Sequence, residues 1–93
     1  MSGTLIDNEA KRRFELTVPG GIAFVDYRRS DSTLFLVHAE VPVTLRGRGF
    51  GARLVREALD LIRARGETIV PACPYVRSFV DRHAEYADLI RAP

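Results

Sequence analysis

In RFELTV, residues 13–18, Phe14, Leu16 and Val18 alternate with Glu15 and Thr17. A period of two predicts a half-buried strand. Pro19, Gly20 and Gly21 make a turn, and IAFVDYR at 22–28 reads as the hairpin partner. RSDS at 29–32 reads as a second turn. TLFLVHAEV at 33–41 follows, apolar on both sides as a central strand should be. From Gly51 the period lengthens, and Leu54, Val55, Ala58, Leu59 and Ile62 share one face of a helix. Gly66 suits its C-terminal cap, with Arg63 and Arg65 in the last turn. ETIVPAC at 67–73 is a short fourth strand whose pairing Pro71 limits. Pro74 suits the first turn of another helix, on which Val76, Phe79, Val80 and His83 fall together. Tyr86, Leu89 and Ile90 predict a final turn or two. Residues 1–10 carry no such pattern, and residues 1–8 are expected to be frayed.

The predicted order is therefore β-β-β-α-β-α. This is the α/β class in its mixed-sheet form: an antiparallel three-stranded meander, then a β-α-β unit with parallel strands. A chain of 93 residues has room for one modest core, so residues 1–93 are expected to form one domain.

Composition narrows the chemistry. No apolar run approaches the roughly 18 residues that span a bilayer. The opening MSGTLIDNEAKRRF has no apolar stretch of a signal peptide, which predicts a cytoplasmic protein without a membrane partner. The single cysteine, Cys73, excludes an internal disulfide and a cysteine-based zinc site, and with His38 and His83 as the only histidines no metal is expected. Thirteen of the fourteen basic residues are arginine, yet the net charge is only +2. That is too mild to argue nucleic-acid binding by itself.

The informative stretch is VTLRGRGFGARL, residues 43–54. Gly47, Gly49 and Gly51 can take positive φ and let a ligand reach backbone N–H groups at a helix start. Arg46, Arg48, Arg53 and Arg56 surround the same end, where cations are unfavourable, and the first acid is Glu57. A bound phosphate or diphosphate resolves that conflict. GRGFGA matches a dinucleotide fingerprint, but the stretch follows an antiparallel meander instead of opening a parallel sheet.

Read as Arg46-x-x-Gly49-x-Gly51, the loop resembles the acetyl-coenzyme A diphosphate loop of GNAT-type N-acetyltransferases. With HAEVP, IVPACPYV and RHAEYADLI around it, the chain from about Asn8 to Ile90 resembles the short GNAT-like family of predicted acetyltransferases. The resemblance implies a GNAT-like fold in which strands 33–41 and 68–72 splay apart. It places the pantetheine arm of acetyl-CoA in that gap, against backbone of Val41 and Val43. It places the diphosphate on Arg46, Gly47, Arg48, Gly49, Phe50, Gly51 and Ala52. Cys73, Tyr75 and Phe79 are expected to complete the cofactor contacts.

Acetyl transfer to an amine needs a proton acceptor. The period-two rule puts Leu34, Leu36, His38 and Glu40 on one face, and Glu40 matches the position where many GNAT enzymes place a base. Glu40, His38 and Cys73 are the candidate catalytic residues; Cys73 precedes a helix start, a setting that can activate a thiol. Two departures stand out. Phe79 and Val80 occupy the place of the tyrosine that often protonates the leaving thiolate. The N-terminal helices that cover the acceptor site in longer members are absent, which implies an open acceptor face for a protein or small-molecule amine, completed in one arrangement by a second subunit. Two other readings are a coenzyme A-binding module with little transfer activity and a small basic nucleic-acid-binding domain.

Overall fold

A computed structural model of the chain describes residues 5–91. Five strands, β1 (Leu5–Asn8), β2 (Arg13–Val18), β3 (Gly21–Ser30), β4 (Thr33–Glu40) and β5 (Thr68–Pro71), form one sheet in sequence order. Pairing is antiparallel from β1 to β4 and parallel between β4 and β5. Helix α1 (Phe50–Ala64) makes the crossover, and α2 (Pro74–Arg82) and a 3-10 segment, Ala84–Leu89, follow β5. This mixed α+β architecture is GNAT-like, as the sequence implies, with one strand more than expected.

The extra strand is β1, in the region read as frayed; residues 1–4 lie outside the described residues. Leu5 faces Leu16 and Asp7 faces Phe14, so an acid sits at an inward position and breaks the apolar alternation. Asp7 is nonetheless satisfied there. The Tyr27 hydroxyl donates to it at 2.6 Å and Arg65 at 2.8 Å, with its own side chain 5% exposed. The predicted turn at 29–32 is also shorter. Strand β3 runs to Ser30 and pairs it with Thr33, so only Asp31 and Ser32 make the turn, Asp31 at φ 54, a conformation Asp tolerates.

The inner sheet face carries Phe14, Leu16, Ala23, Val25, Tyr27, Leu34, Leu36 and Ile69, all buried. The five predicted apolar positions of α1 and Val76, Phe79 and Val80 of α2 are buried against it in one continuous core. Helix α1 lies over β1–β3 and α2 over β4 and β5. Gly66 closes α1 at φ +71, its amide reaching the Arg63 carbonyl and that of Glu67 reaching Ile62. On the outer face Ile6 and Ile22 are exposed, while Glu15 is buried under Arg13, whose guanidinium also covers Phe24. The hydrogen bond from Arg13 holds the Glu15 carboxyl below its usual range. No helix among the described residues is long and apolar enough to cross a membrane.

Candidate active site

Two local features open a cleft at the end of β4. Strand β5 stops at Pro71, opposite Leu36, and the last tie is the Cys73 amide donating to the Leu36 carbonyl at 2.7 Å. Beyond that point β4 runs on to Glu40 without β5 beside it. In addition, Tyr27 faces Leu36 and Asp26 faces His38, so Val37 is left over as a bulge.

The bulge corrects the expected alternation. His38 and Glu40 stay together, but on the face opposite Leu34 and Leu36, and Ala39 turns towards the core instead. His38 Nε2 lies 4.0 Å from Glu40 Oε2, with the two side chains 59% and 49% exposed. A contact so long and so exposed contributes little to stability.

After Pro42 the chain makes one 3-10 turn, Val43–Leu45, pinned by the Leu45 amide on the Pro42 carbonyl at 2.8 Å and by burial of Leu45. Gly47 and Gly49 then adopt φ +82 and +81, with nothing within 4 Å of where a Cβ would be. Their glycines are required by backbone angle, not by crowding. Gly49 is the N-cap of α1 and provides no side-chain cap, and no acid lies in the first turn. The Arg53 amide already reaches the Gly49 carbonyl at 3.1 Å. The amides of Phe50, Gly51 and Ala52, one turn earlier, are left for an outside acceptor. Gly51 is required for a different reason. A Cβ there would stand 2.6 Å from the Tyr75 hydroxyl and 3.0 Å from its Cζ.

Together these segments enclose a cavity of about 430 Å³. Of the predicted cofactor contacts, Val41, Arg46, Gly47, Gly49, Phe50, Gly51, Ala52 and Tyr75 line it, and Glu40 stands on its wall. Ala39, Leu45 and Leu54 line it too, outside the set that the sequence predicts. Ala39 needed the bulge, and Leu45 and Leu54 carry no chemical signal beyond being apolar. Arg46 Nε donates to the Val41 carbonyl at 3.3 Å, which ties the loop back to the strand end.

Other candidates lie elsewhere. Val43 is 74% exposed on the 3-10 turn, outside the cavity, with its carbonyl accepting from the Arg46 amide at 3.4 Å. Arg48 is exposed on the loop and is not among the lining residues. His38 also stands off the cavity. Cys73 is buried as the N-cap residue of α2, and Phe79 is a core residue stacked on His83 at 3.9 Å. Of the four arginines placed at the helix start, Arg53 pairs with Glu57 at 2.5 Å and Arg56 turns to Glu85 at 3.6 Å. Arg46 and Arg48 are the two that remain beside the loop.

The stretch RHAEYADL is a structural clasp. The Tyr86 hydroxyl donates to Asp60 at 2.7 Å, and burial followed by that carboxylate raises its pKa. Arg63 donates to both Asp88 oxygens at 2.7 and 2.9 Å and to the Glu85 carbonyl at 2.7 Å. The His83 ring donates from Nδ1 to the Phe79 carbonyl at 2.7 Å. The Tyr86 and Arg63 bonds fasten the C-terminal segment to α1, and the His83 bond ties it to α2, which carries Tyr75 to the cavity.

A family model described as GCN5-related N-acetyl-transferase matches residues 13–89, from β2 to the end of the clasp. That span includes the loop, both helices and four of the five strands. The chain belongs to the GCN5-related N-acetyltransferase family.

Proposed function

We propose that the protein binds acetyl-coenzyme A and transfers its acetyl group to an amine. The observation that carries this reading is the uncapped first turn of α1, opened by two left-handed glycines and facing a cavity. The Phe50, Gly51 and Ala52 amides, at the positive end of the helix dipole, would hold a diphosphate there. Arg46 and Arg48 supply the compensating charge. The edge of β4 left bare beyond Leu36, at Ala39 and Val41, would hold the pantetheine arm. The thioester supplies an activated acyl carbon.

An ammonium acceptor has to lose a proton before it can attack. Glu40 lines the cavity and is half exposed, which supports it as the acceptor of that proton. His38 lies beside it, its Nε2 4.0 Å from Glu40 Oε2. Cys73 is buried and is not among the residues that line the cavity, which supports direct transfer to the acceptor and a packing role for the thiol. The outer sheet face beside Glu40 leaves room for an acceptor presented by a larger molecule.

A second reading, coenzyme A binding without turnover, is favoured by Phe79, buried in the core where a tyrosine would otherwise reach the thiolate. Calorimetry with coenzyme A, followed by thiol release from acetyl-CoA over a panel of amines, separates the two. The proposal expects binding and amine-dependent release. Binding with no release leaves the second reading, and absence of binding removes both.

A further inference from the structure

The arginines divide into those that face a carboxylate and those that do not. Arg13, Arg29, Arg53, Arg56, Arg63 and Arg65 each stand at ion-pair distance from an acid. Among the described residues Arg46 and Arg48, at the loop, have no such acid, and neither do Arg12 and Arg28. Arg77 and Arg82 on α2, and Arg91, also lack one but border neither cavity. Arg12 and Arg28 do border one. With Arg29, Tyr27 and Glu9 they line a recess of about 460 Å³ at the other end of the sheet.

The strand lengths create this recess. Strand β2 begins at Arg13, opposite Asp26, whereas β3 continues to Ser30. The overshoot leaves a notch between the β1–β2 turn and the last residues of β3. The Tyr27 amide donates to the Arg12 carbonyl at 2.9 Å. Two residues on, the Arg29 amide points to the same side, where β2 has no residue to meet it. Arg12 itself is held at φ 54, a left-handed conformation that a turn usually gives to Gly or Asn. An unpaired arginine is thus kept in an unfavourable backbone state beside a second unpaired arginine and a free edge amide.

We propose that this recess binds the phosphate monoester of a small molecule, separately from the cavity at α1. Guanidinium groups match the oxygens of a phosphate in a planar fork, and Arg12 and Arg28 are the free pair. Arg29 is committed to Glu67 and lies over the Tyr27 ring at 5.7 Å, so it forms a wall. The volume leaves space for an organic group beyond the phosphate. Glu9 also lines the recess, so an anion there keeps to the arginine side, and the limited volume suits one compact phosphate better than a continuous strand. Along β4, six residues separate Leu34, opposite Arg29, from Glu40, or about 20 Å, so both sites can fill together.

The test is a nuclear magnetic resonance titration of the full chain with inorganic phosphate and with glucose 6-phosphate, each with and without saturating coenzyme A. The amides of Arg12, Arg28 and Arg29 shift in all four titrations, and glucose 6-phosphate binds more tightly than phosphate. Arg28→Gln weakens binding about tenfold or more, the loss of one charge-assisted contact. Arg12→Asn weakens it similarly while keeping or raising Tm, because Asn accepts the left-handed turn. No shift at these amides, or displacement by coenzyme A, overturns the proposal. So does a fall in Tm in Arg12→Asn with phosphate affinity unchanged, since Arg12 then serves only the turn. A short single-stranded RNA that moves the same amides at lower concentration than either phosphate overturns it in favour of a nucleic-acid surface.

Discussion

The hydroxyl of Tyr75 occupies the space that a β-carbon on Gly51 would need, at 2.6 Å. This contact joins the first turns of the two helices and sets the width of the cavity between them. In Gly51→Ala the Tyr75 ring, 41% exposed, has to swing outward. Alanine is the better helix former by about 0.5–1 kcal/mol, which offsets part of the strain. Tm is expected to change little while coenzyme A affinity falls. In calorimetry, adding Tyr75→Ala to Gly51→Ala should cost less affinity than the sum of the single changes.

Gly49→Ala is expected to behave in the opposite way. Nothing crowds the new methyl group, but φ +81 is unfavourable for it. The expected loss is about 1–2 kcal/mol. For a domain of this size that lowers Tm by roughly 4–16 °C. Thermal denaturation of the two alanine variants side by side checks the contrast; equal Tm values would mean that the loop does not hold these angles.

Tyr27 should titrate far above a free phenol. Burial first, and then the Asp7 carboxylate, push its pKa up to about 12 from an ordinary 10. A raised pKa means that the folded state favours the neutral phenol. The corresponding stability is complete below pH 10 and is lost as pH rises towards 12. Phenolate absorbance followed against pH should show this group ionising late, and Asp7→Asn should lower its pKa. Loss of the carboxylate also leaves Arg65 without its partner, and an overall destabilisation of about 1–3 kcal/mol is expected.

Glu40→Gln is expected to keep coenzyme A affinity and lower amine-dependent thiol release by about 100-fold or more. Cys73→Ala, by contrast, should keep both affinity and turnover within a few-fold. Steady-state kinetics with calorimetry on each variant checks both; an inactive Cys73→Ala that still folds would require a covalent route through the thiol.

Much of this arrangement is legible in the residues. The helical face of α1 follows from five apolar positions at the right spacing, and Gly47 and Gly49 do take the positive φ that their place before a helix requires. What is not legible depends on partners distant in the chain. Asp7 reads as a surface acid until Tyr27 and Arg65 arrive to satisfy it, which hides β1. The bulge at Val37 has no glycine or proline to announce it, so strict alternation puts Glu40 on the wrong face. Arg56 reads as part of the loop because its acid, Glu85, comes 29 positions later.

The most direct measurement of the central claim is the amide spectrum of the chain with and without coenzyme A. If the diphosphate sits on the start of α1, the Phe50, Gly51 and Ala52 amides shift most, and pantetheine, which lacks the diphosphate, leaves them nearly unmoved. Equal shifts with both compounds, or a coenzyme A complex in which those three amides do not respond, would contradict it.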